Sequence, residues 1–465
     1  MYGTEDLAAS VGASNAAIRL LLGQLFAYPM MLIYRSYLTK QSATLQHLYI
    51  VFFSMCIAYW SFGASAILHS MICILVSYGL LFFLRPTFIT SLIVFIFNMV
   101  YLLVGYFANS SESYDLSWTM PHCVLCLRLI AVAIDLYDGA KPEDSLSAEQ
   151  MKYRLLKMPS LLELFSQCFF VGGYFVGPQF SMRKYQDFIQ RNITQDLRPP
   201  ISFGLMRCFL GFVYLLIHVI ASHYVPLEYV STDEFLNMNF WSQSFWYSCW
   251  VKGILSKYIG VWLFSEGAFV LSGLSYNGKD SNEQPLWNGG ANVKLRLFES
   301  AAKFGDIIAS FNCNTNNWVA IYIYKRLKFL GNRFLSQFIT LWFLALWHGI
   351  HSGYYLTFFN EFIVMNFEKD IEAIVKKSHR IQEWLKLPGA SPIMWVVGKL
   401  YVLFFLPHCF LPFALLQNSK YIPVLFKTRG ILYIVFLLWP IYSIPLKKAL
   451  IPKQVKSEVD TKKTS

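Results

Sequence analysis

Charged side chains are scarce in this chain: Asp, Glu, Lys and Arg make up 14% of its 465 residues, while 56% are hydrophobic. A soluble globular domain carries roughly a quarter charged residues, so the scarcity excludes an ordinary soluble domain and, still more firmly, a disordered one. Cysteine is also thin on the ground. The nine cysteines are spread singly, apart from Cys123 and Cys126. That pair has CxxC spacing but lies in an apolar helical run, which reads as packing and not as a redox or metal centre. No other cluster has usable metal-ligand spacing, so no metal is expected. Internal repeats and low-complexity tracts are missing too. The net charge of +12 is scattered over loops and never concentrated in a soluble domain. This pattern points to an anionic membrane surface or a polyanionic small molecule, and away from nucleic acid. "GLSYNGKD" from Gly273 has the spacing of a phosphate-binding loop. Asp280 stands where that loop needs Ser or Thr for magnesium, and an apolar helix precedes it where a strand is required, so nucleotide hydrolysis is not expected.

What is abundant is apolar sequence in helix-length runs. A bilayer core of about 30 Å needs roughly 20 mostly apolar residues per helix. Such windows fall near 17–38, 43–63, 64–84, 87–108, 118–137, 160–180, 203–222, 241–274, 334–366, 392–416 and 428–446. The expected fold is therefore all-α, a polytopic transmembrane bundle of about 11 spans, forming one integrated domain over residues 1–465. Residues 1–16 carry Glu5 and Asp6 and lack the basic region of a cleavable signal, so the first helix is expected to direct insertion. Arg35, Lys40 and Arg85 place their loops in the cytosol by the positive-inside rule, which makes residues 1–16 a short lumenal N-terminus. The acidic stretch "NSSESYD" from Asn109 is then lumenal, and Asn109 and Asn192 are glycosylation sequons. Residues 183–198 form a basic amphipathic segment read as lying on the membrane surface. Strict alternation would put it in the lumen, so residues 160–180 are candidates for a segment that re-enters without crossing.

Polar residues inside an apolar chain carry the functional signal, because each is costly there. "LALWHGIHSGYYLTFF" from Leu344 holds His348 and His351 without one Asp, Glu, Lys or Arg. Read as one helix, the two histidines are i and i+3 and face neighbouring directions, with Gly349 and Gly353 allowing another helix close approach. A buried histidine can bridge helices or serve as a base near neutral pH, and the pattern alone favours neither. Upstream, "SFNCNTNNWVAIYIYKRLKFLGNRF" from Ser310 is crowded with amides and followed by Lys325, Arg326, Lys328 and Arg333. Turn and cap chemistry accounts for such amides when they stand alone. Glu266 and Glu299 read as structural partners of cations, Arg128 and Asp135 as anchors of helix contacts, and His122 and His408 as core histidines.

Taken in order, "WTMPHCVLCLRLIAVAIDLYDG" from Trp118, "PSLLELFSQCFFVGGYFVGPQFSM" from Pro159, "WNGGANVKLRLFE" from Trp287, "FNCNTNNWVAIYIYKRLKFLGN" from Phe311 and "LALWHGIHSGYY" from Leu344 resemble the membrane-bound O-acyltransferases, in their lysophospholipid acyltransferase branch. The resemblance implies an enzyme that moves a fatty acyl group, polyunsaturated by expectation, from acyl-CoA to the free sn-2 hydroxyl of a lysophospholipid. Lysophosphatidylcholine is the implied acceptor, with lysophosphatidylethanolamine and lysophosphatidylserine as further ones. By the same resemblance His348 is the catalytic base and Asn312 its partner, Asn316 being the other alignment of the amide-rich stretch. His351 and Trp318 are expected near substrate, and Lys328 and Arg333 are candidates for the phosphates of acyl-CoA. No cofactor is implied, acyl-CoA being a co-substrate, and homo-oligomerisation is left open. Other acceptors in the superfamily are sterols, diacylglycerols and proteins. A polytopic transporter is the reading from a different class, and it predicts repeats or paired broken helices. Residues 451–465 are expected as a cytosolic basic tail, where Lys462 and Lys463 resemble a dilysine signal of endoplasmic reticulum membrane proteins.

Overall fold

The computed structural model describes residues 3–109, 116–190 and 200–451. The sequon at Asn192, the acidic residues 112–115 and the dilysine pair lie outside them. The described residues are helical, with only two isolated bridges, Lys279 to Pro285 and Val293 to Phe311. In chain order the helices used below are α1 (Asn15–Ile33), α2 (Ala43–Phe83), α3 (Phe88–Ala108), α4 (Thr119–Gly139), α5 (Leu161–Cys168), α6 (Val171–Tyr174), α7 (Met182–Ile189), α8 (Ile201–Tyr224), α9 (Phe240–Ser272), α10 (Phe304–Ser310), α11 (Cys313–Tyr322), α12 (Arg333–His348), α13 (Ser352–Lys377) and α14 (Ala390–Leu415). Seven are long and apolar enough to cross a membrane: α1 to α4, α8, α9 and α14. Hydroxyl and amide caps mark where many begin. Ser14 accepts from the Ala17 N–H, Ser42 from Leu45 and Asn239 from Ser242, each satisfying a donor that the first helical turn leaves open.

Three expected spans differ from the structure. Residues 160–180 do not form one helix: α5 and α6 are short, and the chain then turns through a cis Gly177–Pro178 bond. Four of their backbone carbonyls converge on a cation from another helix. Arg128 of α4, 1% exposed, donates to the carbonyls of Gln167 at 3.1 Å, Cys168 at 2.9 Å, Gly173 at 2.5 Å and Pro178 at 3.1 Å. Its guanidinium also lies 4.5 Å from the Phe180 ring centre. A side chain at Gly173 would not fit, since a Cβ there would stand 2.6 Å from the Arg128 Nη2. Residues 428–446 likewise form two short helices, Ile431–Phe436 and part of Trp439–Leu450.

The third difference concerns 334–366. The helix ends at His348, Gly349 adopts φ 144°, and α13 begins at Ser352. His348 and His351 therefore do not share a helix, and the expected i, i+3 relation does not hold. Only glycine adopts that backbone conformation readily. The expected close approach occurs at Gly353 alone, where a Cβ would meet the Pro412 carbonyl oxygen at 1.9 Å. Its N–H donates to the Leu416 carbonyl at 2.8 Å, pressing the start of α13 onto the end of α14. By contrast, the expected division of 43–63 from 64–84 falls on a real break, Gly63 at φ 78° inside α2.

Other structural readings have partners in place. Glu266 accepts from the N–H groups of Asn292 and Val293 and lies 3.7 Å from Arg207. Glu299 accepts from Tyr214 at 2.6 Å and pairs with Lys252. Asp135 accepts from the Tyr322 hydroxyl through both oxygens at 3.0 Å. Arg128 and Asp135 thus both anchor helix contacts, to separate partners. Cys123 and Cys126 are free thiols. His408 is held by the Phe404 carbonyl at 2.9 Å, while His122 has Cys73 at 3.6 Å on one nitrogen and, among the described residues, no partner on the other.

Candidate active site

The helix break at 349–351 opens onto a cavity of about 1180 Å³, mostly apolar, bounded by residues of α1, α3, α4 and α8 to α14. His348, His351, Asn312, Asn316, Gln179 and Glu361 bring polar atoms to its wall. Such a chamber suits an amphiphile whose apolar part fills it while a few placed polar groups fix its orientation.

His348 is the last residue of α12 and is oriented by rings. Its imidazole centroid lies 4.7 Å from Trp347, 5.6 Å from Tyr354, 5.4 Å from Phe358 and 5.2 Å from Phe413. Trp347 fixes this end of the helix: its indole N–H donates to the Cys123 carbonyl at 2.9 Å, and its own carbonyl accepts from the Tyr106 hydroxyl at 3.0 Å. Among the described residues no hydrogen bond holds either nitrogen of the His348 ring, so both are available to a guest in the cavity. A helix C-terminus carries partial negative charge, which favours a protonated imidazole.

Three asparagines at alternate positions upstream divide their work. Asn316 donates to the carbonyls of Ile308 at 2.9 Å and Phe311 at 3.2 Å, satisfying the end of α10. Asn314 makes two bonds to the backbone of Gln179: its Oδ1 accepts from the N–H at 2.5 Å and its Nδ2 donates to the carbonyl at 3.1 Å. Asn312 has a left-handed backbone, φ 49°, that asparagine tolerates better than most residues. Its carbonyl accepts from the Asn316 N–H at 3.0 Å, while its side chain makes no cap bond and faces the cavity.

The remaining sequence-derived candidates lie elsewhere. His351 lines the cavity beside Tyr354, at 6.3 Å between ring centres. Trp318 is 5% exposed, packs on Tyr322 and Phe343, and does not line the cavity. Lys328 and Arg333 are exposed and, among the described residues, form no ion pair, and they too are outside the cavity lining. Their neighbours are committed: Lys325 to Glu149, and Arg326 to both oxygens of Asp138. Sequence reasoning passed over Glu361 and Gln179. For Glu361 a signal existed, since it is the sole carboxylate in the run 334–366. Gln179 had none, because its place depends on the turn that Arg128 and Asn314 hold.

Residues 103–416, which include all of these polar groups, match the membrane-bound O-acyltransferase family. Among curated proteins, the chain is 39% identical to lysophospholipid acyltransferase 5 of Mus musculus, over 98% of this chain and 95% of that protein. It is 38% identical to lysophospholipid acyltransferase 5 of Homo sapiens, over 97% and 93%. With lysophospholipid acyltransferase 5 of Drosophila melanogaster the identity is 39%, over 90% and 85%. The chain belongs to the membrane-bound O-acyltransferase family.

Proposed function

We propose that this protein transfers a fatty acyl group from acyl-CoA to the free sn-2 hydroxyl of a lysophospholipid, lysophosphatidylcholine being the leading acceptor and a polyunsaturated chain the leading donor. The observation that carries this reading is that His348, at the end of α12, and Asn312, at the start of α11, both line one apolar cavity, with no hydrogen bond to either side chain among the described residues. The relatives named lysophospholipid acyltransferase 5 support the choice of acceptor class.

A lipid hydroxyl is a poor nucleophile at neutral pH, so a base must take its proton as the oxygen attacks the thioester carbonyl. His348 takes that proton, and the helix C-terminus it ends favours the imidazolium so formed. Asn312 lies at the opposite kind of helix end, the start of α11, where developing negative charge is favoured. Its amide donates to the oxyanion of the tetrahedral intermediate. Collapse breaks the carbon–sulfur bond, leaves the new ester, and returns the proton from His348 to the departing thiolate. The apolar lining keeps water from competing for the acyl group. Lys328 and Arg333 supply exposed positive charge for the phosphates of acyl-CoA. The protein works as a multi-pass membrane enzyme of the endoplasmic reticulum, with a lumenal N-terminus and a cytosolic tail carrying Lys462 and Lys463.

The deciding experiment is acyl transfer by purified protein in detergent or nanodiscs, with a panel of lysophospholipids and acyl-CoAs and with His348→Ala alongside. The expected outcome is acylation of lysophosphatidylcholine that the folded variant does not perform. Folded, unmodified protein that acylates no lysolipid would overturn the reading.

A further inference from the structure

Glu361 is the one carboxylate that the mechanism above leaves unused on the cavity wall. It lies in α13, on the lining of the cavity, and among the described residues it has neither a hydrogen bond nor an ion pair. The acidic residues around it are placed differently. Glu266 and Glu299 have the partners described above, and Glu368, two turns further along α13, accepts from the N–H groups of Phe304 at 2.6 Å and Gly305 at 2.9 Å. Thr357, one turn before Glu361 and on the same helix face, also lines the cavity with a buried hydroxyl that has no partner. Asn360 ties α13 to α14 through the Cys409 carbonyl at 3.4 Å, which brings Glu361 beside the stretch Cys409 to Phe413. There an aromatic wall lines the same cavity: Tyr258, Phe410 and Phe413 touch one another, with Phe410 and Phe413 stacked at 5.0 Å.

A carboxylate desolvated in a largely apolar chamber is costly in its charged form unless a cation joins it. The cavity's own lysine does not do so, since no ion pair links Lys257 to Glu361; its ammonium lies 5.1 Å from the Tyr258 ring centre. A cation brought by the guest resolves the cost. Quaternary ammonium groups offer no hydrogen bond and are held by carboxylates and aromatic faces together. On the reading that the acceptor is a lysophospholipid, we propose that Glu361 and the aromatic wall of Tyr258, Phe410 and Phe413 seat the cationic nitrogen of the acceptor headgroup. This seat makes the enzyme prefer lysolipids that carry such a nitrogen.

The test compares lysophosphatidylcholine with lysophosphatidylglycerol, which lacks a cationic nitrogen, at one acyl-chain length and one acyl-CoA, for the unmodified protein, Glu361→Gln and Glu361→Asp. The expected result is a roughly tenfold rise in KM for lysophosphatidylcholine in Glu361→Gln, a matching fall in the choline-over-glycerol ratio of kcat/KM, and partial recovery in Glu361→Asp. The KM for acyl-CoA stays within twofold. Proportional loss with both lipids, or an unchanged ratio, overturns the seat. If the unmodified protein acylates no lysolipid, the parent reading has failed. Equilibrium binding of the two lipids to His348→Ala and to His348→Ala/Glu361→Gln then decides the seat by itself: a choline preference that the second change abolishes supports it, and equal binding throughout overturns it.

Discussion

Around Arg128 four backbone carbonyls close on one guanidinium, whereas around the cavity His348, Asn312 and Glu361 present polar atoms that nothing in the described chain satisfies. In the first arrangement both terminal nitrogens of the guanidinium are taken up by the chain, Nε alone lacking a partner among the described residues, and the carbonyls hold the cation in place. In the second the fold bears the cost of leaving donors and acceptors open to a guest. A buried polar group is thus read by whether its partners come from the chain, and the same criterion separates Asn314 and Asn316 from Asn312 within five residues.

The comparison can be broken most severely on the side of Arg128. Arg128→Met leaves the carbonyls of Cys168, Gly173 and Pro178 without their donor and Gln167 with only a long backbone bond, and at about 1 to 3 kcal/mol for each unsatisfied group the folded protein is expected to be lost. Monodispersity and thermal melting in detergent check this. On the open side, His348→Ala is expected to lower kcat by about 10²- to 10⁴-fold, the usual range for a general base, with Tm nearly unchanged. A fall in Tm comparable to that of Arg128→Met would place His348 among the structural groups instead. Asn312→Gly keeps the left-handed backbone and removes only the amide, so a loss of about 10²- to 10³-fold in kcat is expected, as for other oxyanion donors. Asn316→Ala sharpens the contrast, because it should cost about 1 to 2 kcal/mol of stability and leave kcat within severalfold. The smallest effect is expected from Lys328→Ala with Arg333→Ala. Melting should not shift, since exposed changes usually stay within about 0.5 kcal/mol, while the KM for acyl-CoA rises severalfold, more so at low salt.

Much of the architecture was legible because helix-length apolar runs are local signals, and Gly63 falls where two spans were separated. The run through 334–366 misled because its apolar pattern continues unbroken across Gly349, whose φ of 144° is a tertiary outcome. Residues 160–180 were legible only in part: span alternation and loop charge marked them as a candidate for re-entry, but hydropathy reports that the segment is buried, not that Arg128 binds its carbonyls. In the site, the histidine and the asparagine-rich stretch were visible as expensive residues in an apolar chain. The division of labour among Asn312, Asn314 and Asn316 was not, because it depends on Gln179, Ile308 and Phe311, which take their places only in the folded chain.

The Arg128 seat also bears on how the protein is made. Residues 161–180 expose carbonyls that cannot be left bare in hydrocarbon, so this segment cannot enter the bilayer as an independent span. Its cation stands in α4, which leaves the ribosome earlier. The order of synthesis therefore supplies the guanidinium before the carbonyls that need it, while the bonds from Asn314 to Gln179 are added only when α11 arrives.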